Sequence, residues 1–168
     1  MSPRSFFYGR LLILIFVLLG SSLGQSAPPS LAGSWEFSLI PDRNATGSSV
    51  MVPGLATFTT DGSVIETDSS EVIPSQILLD TFATPGHGIW QPGPAIGNLF
   101  VQFTSLVMNS DGLLRAKKIY TMTVSLTTNG TQFKGAYNFE LVNRTGQYGL
   151  ASGSGTITGQ LMVHPQLP

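Results

Sequence analysis

Cysteine is absent from all 168 residues of the chain. The chain therefore has no disulfide, no thiol nucleophile, no lipobox for lipid attachment and no cysteine ligand for a metal. Histidine is almost as scarce, since only His87 and His164 occur. Because a transition-metal site needs several converging ligands, we predict no metal site.

Two further motifs are missing, the Gly-x-Ser-x-Gly turn of serine hydrolases and a phosphate-binding loop. The glycine-rich run from Ala151 to Thr156 lies in a strand-like stretch and not before a helix, so it does not have the context of a nucleotide-binding loop. We therefore predict no cofactor.

Charge is also sparse, with only 10% of the residues being Asp, Glu, Lys or Arg. The one dense basic stretch runs from Arg115 to Lys118, and alternation along a strand would divide its charges between two faces. We interpret it as ordinary surface. Without a basic patch to neutralise phosphates, no nucleic-acid partner is predicted.

The first 27 residues have the order of a secretory signal peptide. Arg4 and Arg10 precede an unbroken apolar run over residues 11–20, and small and polar residues follow. The run is about half as long as a membrane span requires. We expect residues 1–27 to be a signal peptide and 28–168 to be one domain. The protein would then be secreted or periplasmic, with no stable membrane insertion after cleavage.

The rest of the chain shows period-2 alternation of apolar and polar residues in place of helical periodicity. Turn signals such as Asp61-Gly62 and Asn129-Gly130 separate the alternating runs. Loops this short force neighbouring strands to pair antiparallel. We predict an all-β fold, a single antiparallel up-and-down β-barrel of about 7–8 strands, with an open two-sheet sandwich as the alternative. Residues 72–80 fit either a strand or a short helix.

Alternation also predicts which side chains share a face. An early tryptophan, Trp35, is expected to close one end of the barrel and to need a partner for its indole N–H. Aromatic residues and methionine recur on one face of the later strands, and eight strands enclose an interior that side chains can fill or that can hold one small ligand. The residues expected to line such a cavity are Phe100, Tyr120, Met122, Phe133, Tyr137 and Phe139, with Trp90 and His87 at the rim.

The segments LAGSWEF, GLATFTTDGSVIETDS, TPGHGIWQ, NLFVQFTSLVMNSDG and GTQFKGAYNFELVNRTG, in this order, resemble small secreted bacterial proteins described as lipocalin-like or calycin-like. The first segment contains Gly33-Ser34-Trp35, which looks like the Gly-x-Trp of the first lipocalin strand. The resemblance extends from about Leu31 to Met162. It implies a β-barrel and secretion, with no established activity. The barrel of allene oxide cyclase-type proteins is similar in architecture.

The stretch TPGHGIWQ, residues 84–91, contains His87 between two glycines, which favours a turn or a barrel-closing loop. A histidine there could also contact a ligand at the rim, or act as a general acid or base with a carboxylate. Glu66 and Glu140 are the carboxylates that we consider as its partner. No catalytic residue is assigned beyond these weak candidates.

These observations lead to one functional hypothesis and two alternatives. The first is a secreted β-barrel that binds a small, largely apolar molecule. The second is a cofactor-free enzyme of the cyclase or isomerase type, which would use His87 with a carboxylate. The third is a filled barrel that serves as an interaction module of the cell envelope.

Overall fold

The computed structural model describes residues 29–42, 50–71 and 81–163. They form nine β-strands and one 3₁₀ turn, Ser69–Glu71, between the third and fourth strands. The strands are β1 (Gly33–Pro41), β2 (Val52–Phe58), β3 (Ser63–Asp68), β4 (Thr81–Ala83), β5 (Gly86–Pro92), β6 (Asn98–Asn109), β7 (Leu114–Leu126), β8 (Gln132–Asn143) and β9 (Ala151–Leu161).

Eight of these strands close into an antiparallel barrel. The hydrogen-bonded order is β6-β5-β3-β2-β1-β9-β8-β7, and β7 pairs again with β6. The first strand, β1, pairs with the last, β9, and Trp35 lies opposite Leu161 in this ladder. The remaining strand, β4, lies outside the barrel and pairs with the last residues of β6. The predicted all-β antiparallel barrel is confirmed.

The hairpins lie where the turn signals predicted them. The turn between β2 and β3 places Gly62 at φ 91°, and the turn between β7 and β8 places Gly130 at φ 69°. Both values fall in the left-handed region, which glycine adopts without a steric penalty. Residues 72–80, with their ambiguous prediction, lie outside the described residues, as does the predicted signal peptide.

Most of the stretch TPGHGIWQ lies in strand β5, so the turn or barrel-closing loop predicted there is wrong. Residues from Gly86 onward belong to β5, and His87 pairs with Ile65 on one side and Thr104 on the other. The two glycines serve close packing and not a turn, because a Cβ on Gly88 would lie 1.9 Å from the carbonyl oxygen of Gln102. Sequence alone does not distinguish these two uses of glycine.

Glycines also make room for the aromatic side chains of the interior. Gly159 lies opposite Phe133, Gly155 opposite Tyr137 and Gly153 opposite Phe139 in the β8–β9 ladder. A Cβ on Gly159 would meet the Phe133 ring at 2.3 Å. The rings of β8 therefore lie directly over the bare backbone of β9, which is a recognised way to stabilise glycine within a sheet.

One end of the barrel is sealed by apolar side chains. Trp35 is 1% exposed and packs against the ring of Phe133, with 5.0 Å between the ring centroids. Its Nε1–H donates a 2.7 Å hydrogen bond to the carbonyl oxygen of Leu31, which precedes β1. The predicted role of Trp35 is confirmed. We call this region the sealed end, formed by Leu31, Trp35, Phe58, Val64, Leu99, Val124 and Phe133.

Candidate functional site

The opposite end of the barrel interior contains charged and hydroxyl-bearing side chains. Strand β3 alternates so that Val64 and Glu66 face inward while Ile65 faces solvent. Glu66 is 2% exposed even though it is a carboxylate. Burying a carboxylate is costly unless other groups compensate its charge, so the position calls for a specific explanation. We call this region the polar end, defined by Glu66, Asp68, Ser105, Lys118 and Tyr120.

A lysine of β7 points into the same region. The buried neighbours of Lys118 on its face are Ala116 and Tyr120, whereas Lys117 is exposed on the outer wall. The Lys118 ammonium lies 4.7 Å from the centroid of the Tyr120 ring and 5.5 Å from that of Phe139. Both distances are within the range of cation–π attraction.

The pKa of Lys118 is lowered from its ordinary value, because burial penalises the charged ammonium. The negative charges of Asp68 and Glu66 act in the opposite direction and raise it, but by less than burial lowers it. The amine and the two carboxylates are therefore electrostatically coupled. The polar end thus places a desolvated amine near two carboxylates.

Gly86 creates the space in which the carboxylate of Glu66 lies. A Cβ at Gly86 would stand 2.7 Å from Glu66 Oε2 and 3.0 Å from the hydroxyl oxygen of Ser105. Ser105 is itself 3% exposed and lies directly opposite Lys118 in the β6–β7 ladder. Glu66, Gly86, Ser105 and Lys118 therefore form one inward row across four neighbouring strands, and the row lacks a side chain at Gly86.

Aromatic rings pack beneath this row, on the side of the barrel core. Tyr120 is buried and packs against Phe103, with 4.8 Å between ring centroids, and against Phe139 at 5.9 Å. Burial raises the pKa of the Tyr120 hydroxyl well above its ordinary value, and the charges of Asp68 and Glu66 raise it further. Tyr120 consequently stays a neutral phenol next to the charged groups, able to donate a hydrogen bond.

Exposure increases from Glu66 toward the mouth of the barrel. Asp68 is half-buried, and its Oδ1 accepts hydrogen bonds from the backbone N–H of Ser70, at 2.7 Å, and from the Ser70 hydroxyl. Lys118 and Phe139 are also half-buried. These three side chains line the part of the polar end that solvent reaches.

The structure does not bring His87 together with either predicted carboxylate. His87 is exposed on the outer wall, whereas Glu66 faces the interior. Glu140 is outward as well, but β6 and β7 lie between its strand and that of His87. Three strand spacings of about 4.8 Å separate them, and outward side chains of a barrel diverge, so the two are too far apart for a hydrogen bond. A catalytic dyad with His87 therefore does not form.

The predicted cavity-lining residues separate into three groups. Tyr120, Met122, Phe133 and Tyr137 face inward, but they are buried in one continuous core. Phe139 faces inward and is half-buried. Phe100 lies on the outer face of β6, between the inward residues Leu99 and Val101, so its predicted place in the lining is wrong.

The two predicted rim residues do not share a rim. Trp90 packs against the core near the sealed end, and its Nε1–H donates a 2.8 Å hydrogen bond to the carbonyl oxygen of Thr59 in the β2–β3 turn. His87 lies on the outer wall. Trp90 therefore fastens β5 to a neighbouring hairpin.

Sequence reasoning missed Lys118, Asp68 and Ser105 as members of one site. The interpretation of residues 115–118 as surface is correct for Arg115 and Lys117, which are exposed, and wrong for Lys118. The signal was present, because alternation from the apolar positions Tyr120 and Met122 assigns Lys118 to their face. The same alternation places Glu66, already a candidate from the sequence, on the face of Val64.

Among the described residues, no group of three or more His, Asp or Glu side chains has a geometry that could hold a metal ion. No helix in the described part of the chain is long and apolar enough to cross a membrane.

Fold and site together define a closed antiparallel β-barrel with one sealed end and one polar end. Comparison of the chain with protein-family models, with curated proteins and with solved structures finds no match. The resemblance to lipocalin-like and allene oxide cyclase-type barrels stays a prediction.

Proposed function

We propose that this protein is a secreted or periplasmic β-barrel that binds a small, largely apolar molecule at its polar end. The observation that carries the proposal is the inward row of Glu66, Ser105 and Lys118, in a barrel whose other buried inward side chains, in the described residues, are mostly apolar. Desolvating a carboxylate and an amine lowers stability, and replacing buried charges by apolar residues is often neutral or stabilising. Charges retained at such a position favour a role in recognition.

The burial pattern favours a shallow binding site at the barrel mouth and not a deep cavity. Tyr137 and Met122 are packed within the core, whereas Phe139 and Lys118 are half-buried. The apolar body of a ligand would therefore lie against Phe139, with its polar group toward Lys118 and Asp68. Sites of this kind combine an apolar lining with a few placed polar groups.

The ligand's polar group is expected to be neutral or cationic. The polar end contains two carboxyl groups, Glu66 and Asp68, and a single amine, Lys118, on whose charge both act. An anionic group would meet repulsion from the two carboxylates, which are only partly screened in a half-buried site. A hydroxyl, amine or carbonyl group would meet no such penalty.

The test uses three probes with one skeleton, cinnamyl alcohol, cinnamylamine and cinnamic acid. Each is titrated into ¹⁵N-labelled protein, and amide shifts are followed by NMR. We expect saturable shifts at Lys118 and Phe139 with the alcohol and the amine, and weaker binding of the acid. Shifts confined to the outer wall, or none with any probe, would reject the proposal and favour a filled barrel that acts as an interaction module.

Two variants provide a matched pair for this titration. Phe139→Ala removes the half-buried inward ring, and Phe100→Ala removes a half-buried outward ring. Binding should weaken in the first variant by about tenfold, which corresponds to losing the burial of one aromatic contact. The second variant should bind as the unmodified protein does.

A further inference from the structure

The three lysines of the chain have very different surroundings. Lys117 and Lys134 are exposed on the outer wall, whereas Lys118 faces the barrel interior with its amine over the Tyr120 and Phe139 rings. Lys117 and Lys118 are neighbours in sequence, so they share one strand and differ only in the face on which they lie. The chain therefore contains an internal control for the chemistry of its buried amine.

We infer that Lys118 is a nucleophilic amine that binds the carbonyl group of an apolar aldehyde or ketone as a reversible imine. The inference rests on the proposed function, because it assigns a ligand class to the same site. Its geometric basis is a half-buried amine that lies over two aromatic rings, in a region where the carboxylates of Asp68 and Glu66 act on its charge. Desolvated lysines of this kind are the ones that proteins use for imine chemistry.

The reaction balances without any oxidant or reductant. The lone pair of the neutral Lys118 Nζ forms a C–N bond to the carbonyl carbon as the C=O π bond breaks. The oxygen then takes up two protons, one from the nitrogen and one from solvent, and the C–O bond breaks as it leaves as water. A carboxylate accepts a proton from the nitrogen in the first step and returns it to the departing oxygen. The product is a protonated imine, and Glu66 and Asp68 are the negative charges that stabilise it.

Three features of the polar end favour this product. Burial lowers the pKa of Lys118, so more of the amine is neutral and able to attack than at an exposed lysine. The Tyr120 phenol stays protonated, so it adds no further negative charge that would raise the pKa of the amine. The rings of Tyr120 and Phe139 cover one side of the amine and exclude water there, which slows hydrolysis of the imine.

Other charged groups near Lys118 do not compete for this role. Leu141 lies directly opposite it on β8 and Ser105 on β6, and neither is ionisable. Asp68 and Glu66 on β3 are the charged groups that act on its pKa. Arg115 and Lys117 on its own strand are exposed outward.

The experiment incubates the intact protein with cinnamaldehyde and sodium cyanoborohydride at neutral pH. Cyanoborohydride reduces an imine to a stable amine, and peptide fragmentation by mass spectrometry then locates the adduct. Because the aldehyde is held beside the amine, we expect at least about tenfold more adduct on Lys118 than on Lys117 or Lys134. Excess cinnamyl alcohol should protect Lys118 alone.

The comparison between Lys118 and Lys117 is made within one molecule, so it does not depend on whether a variant folds. Lys117→Arg should leave trapping at Lys118 unchanged, and Lys118→Arg should abolish the selective adduct. Equal labelling of the three lysines, or preferential labelling of Lys117, would overturn the inference.

The result also separates the inference from the proposed function. If cinnamyl alcohol shifts the amides of the polar end but Lys118 is not trapped selectively, the site binds small molecules without covalent chemistry and the imine is rejected. If the alcohol does not bind and Lys118 is not trapped, both proposals fall. Selective trapping that the alcohol prevents supports both.

Discussion

The two ends of this barrel are built by the same alternation and differ in what occupies the inward positions. At the sealed end these positions carry Trp35, Phe133 and other apolar side chains, and the one polar group, the indole N–H, has a hydrogen-bond partner. At the polar end they carry Glu66 and Lys118. One end therefore contributes stability, and the other contains buried charged groups that lower it.

The largest effect should come from the sealed end. Trp35→Ala removes the indole from a fully packed site and leaves a cavity, which should lower the free energy of unfolding by about 3–5 kcal/mol. Phe139→Ala at the polar end should cost about 1–2 kcal/mol, because its ring is half-buried and solvent can fill the space. Urea unfolding followed by circular dichroism measures both. Equal losses would mean that the two ends are packed alike.

The glycines of β9 extend the comparison to a pair of matched substitutions. Gly159→Ala places a methyl group 2.3 Å from the Phe133 ring, which Trp35 holds in place. We expect a loss of about 1–3 kcal/mol from this overpacking. Gly153→Ala meets Phe139 at 2.5 Å, but that ring can move toward solvent. Gly153→Ala should therefore lower the thermal stability less than Gly159→Ala does.

Alkaline pH should weaken the barrel through its buried phenols. Burial and the charge of Asp42 raise the pKa of Tyr137 to about 12. A group with a raised pKa contributes stability that is complete below the ordinary value of about 10 and is lost as pH rises through the folded-state value. Tyr137→Phe should therefore reduce the loss of stability between about pH 10 and pH 12. Urea midpoints across that range measure it, with the exposed Tyr148→Phe as the control.

His87 should give the smallest effect. It is exposed on the outer wall beside Ile65 and Thr104, so His87→Ala should change the free energy of unfolding by no more than about 0.5 kcal/mol. Binding of cinnamyl alcohol should also be unchanged. A large loss of binding would place the site on the outer wall and contradict the assignment of function to the polar end.

Much of the fold could be predicted because alternation and turn chemistry are local properties. Strand β6 and the hairpin at Asp61-Gly62 follow from a few adjacent residues. The same alternation gives Glu66 and Val64 one face, but a local pattern does not determine whether that face points inward. Which face of a strand points inward depends on barrel closure, and closure involves pairing between strands that are distant in sequence.

The candidate site was less predictable for the same reason. Whether a glycine such as Gly86 serves a turn or makes room for Glu66 and Ser105 depends on side chains from two other strands. His87 attracted attention because histidine is rare in the chain, but rarity does not determine which way a side chain points. Lys118 was grouped with the surface residues of a basic run, although alternation places its side chain on the same face as Tyr120 and Met122.

The pairing of β1 with β9 has a consequence for how the barrel folds. Every other ladder joins strands that are near neighbours along the chain, whereas this one joins Trp35 to Leu161. Long-range pairing of this kind is slow, because the chain must lose the entropy of a large loop before any contact forms. Until β9 pairs with β1, the barrel has two open edges. We therefore expect the nascent protein to be most prone to aggregation just before its last strand docks.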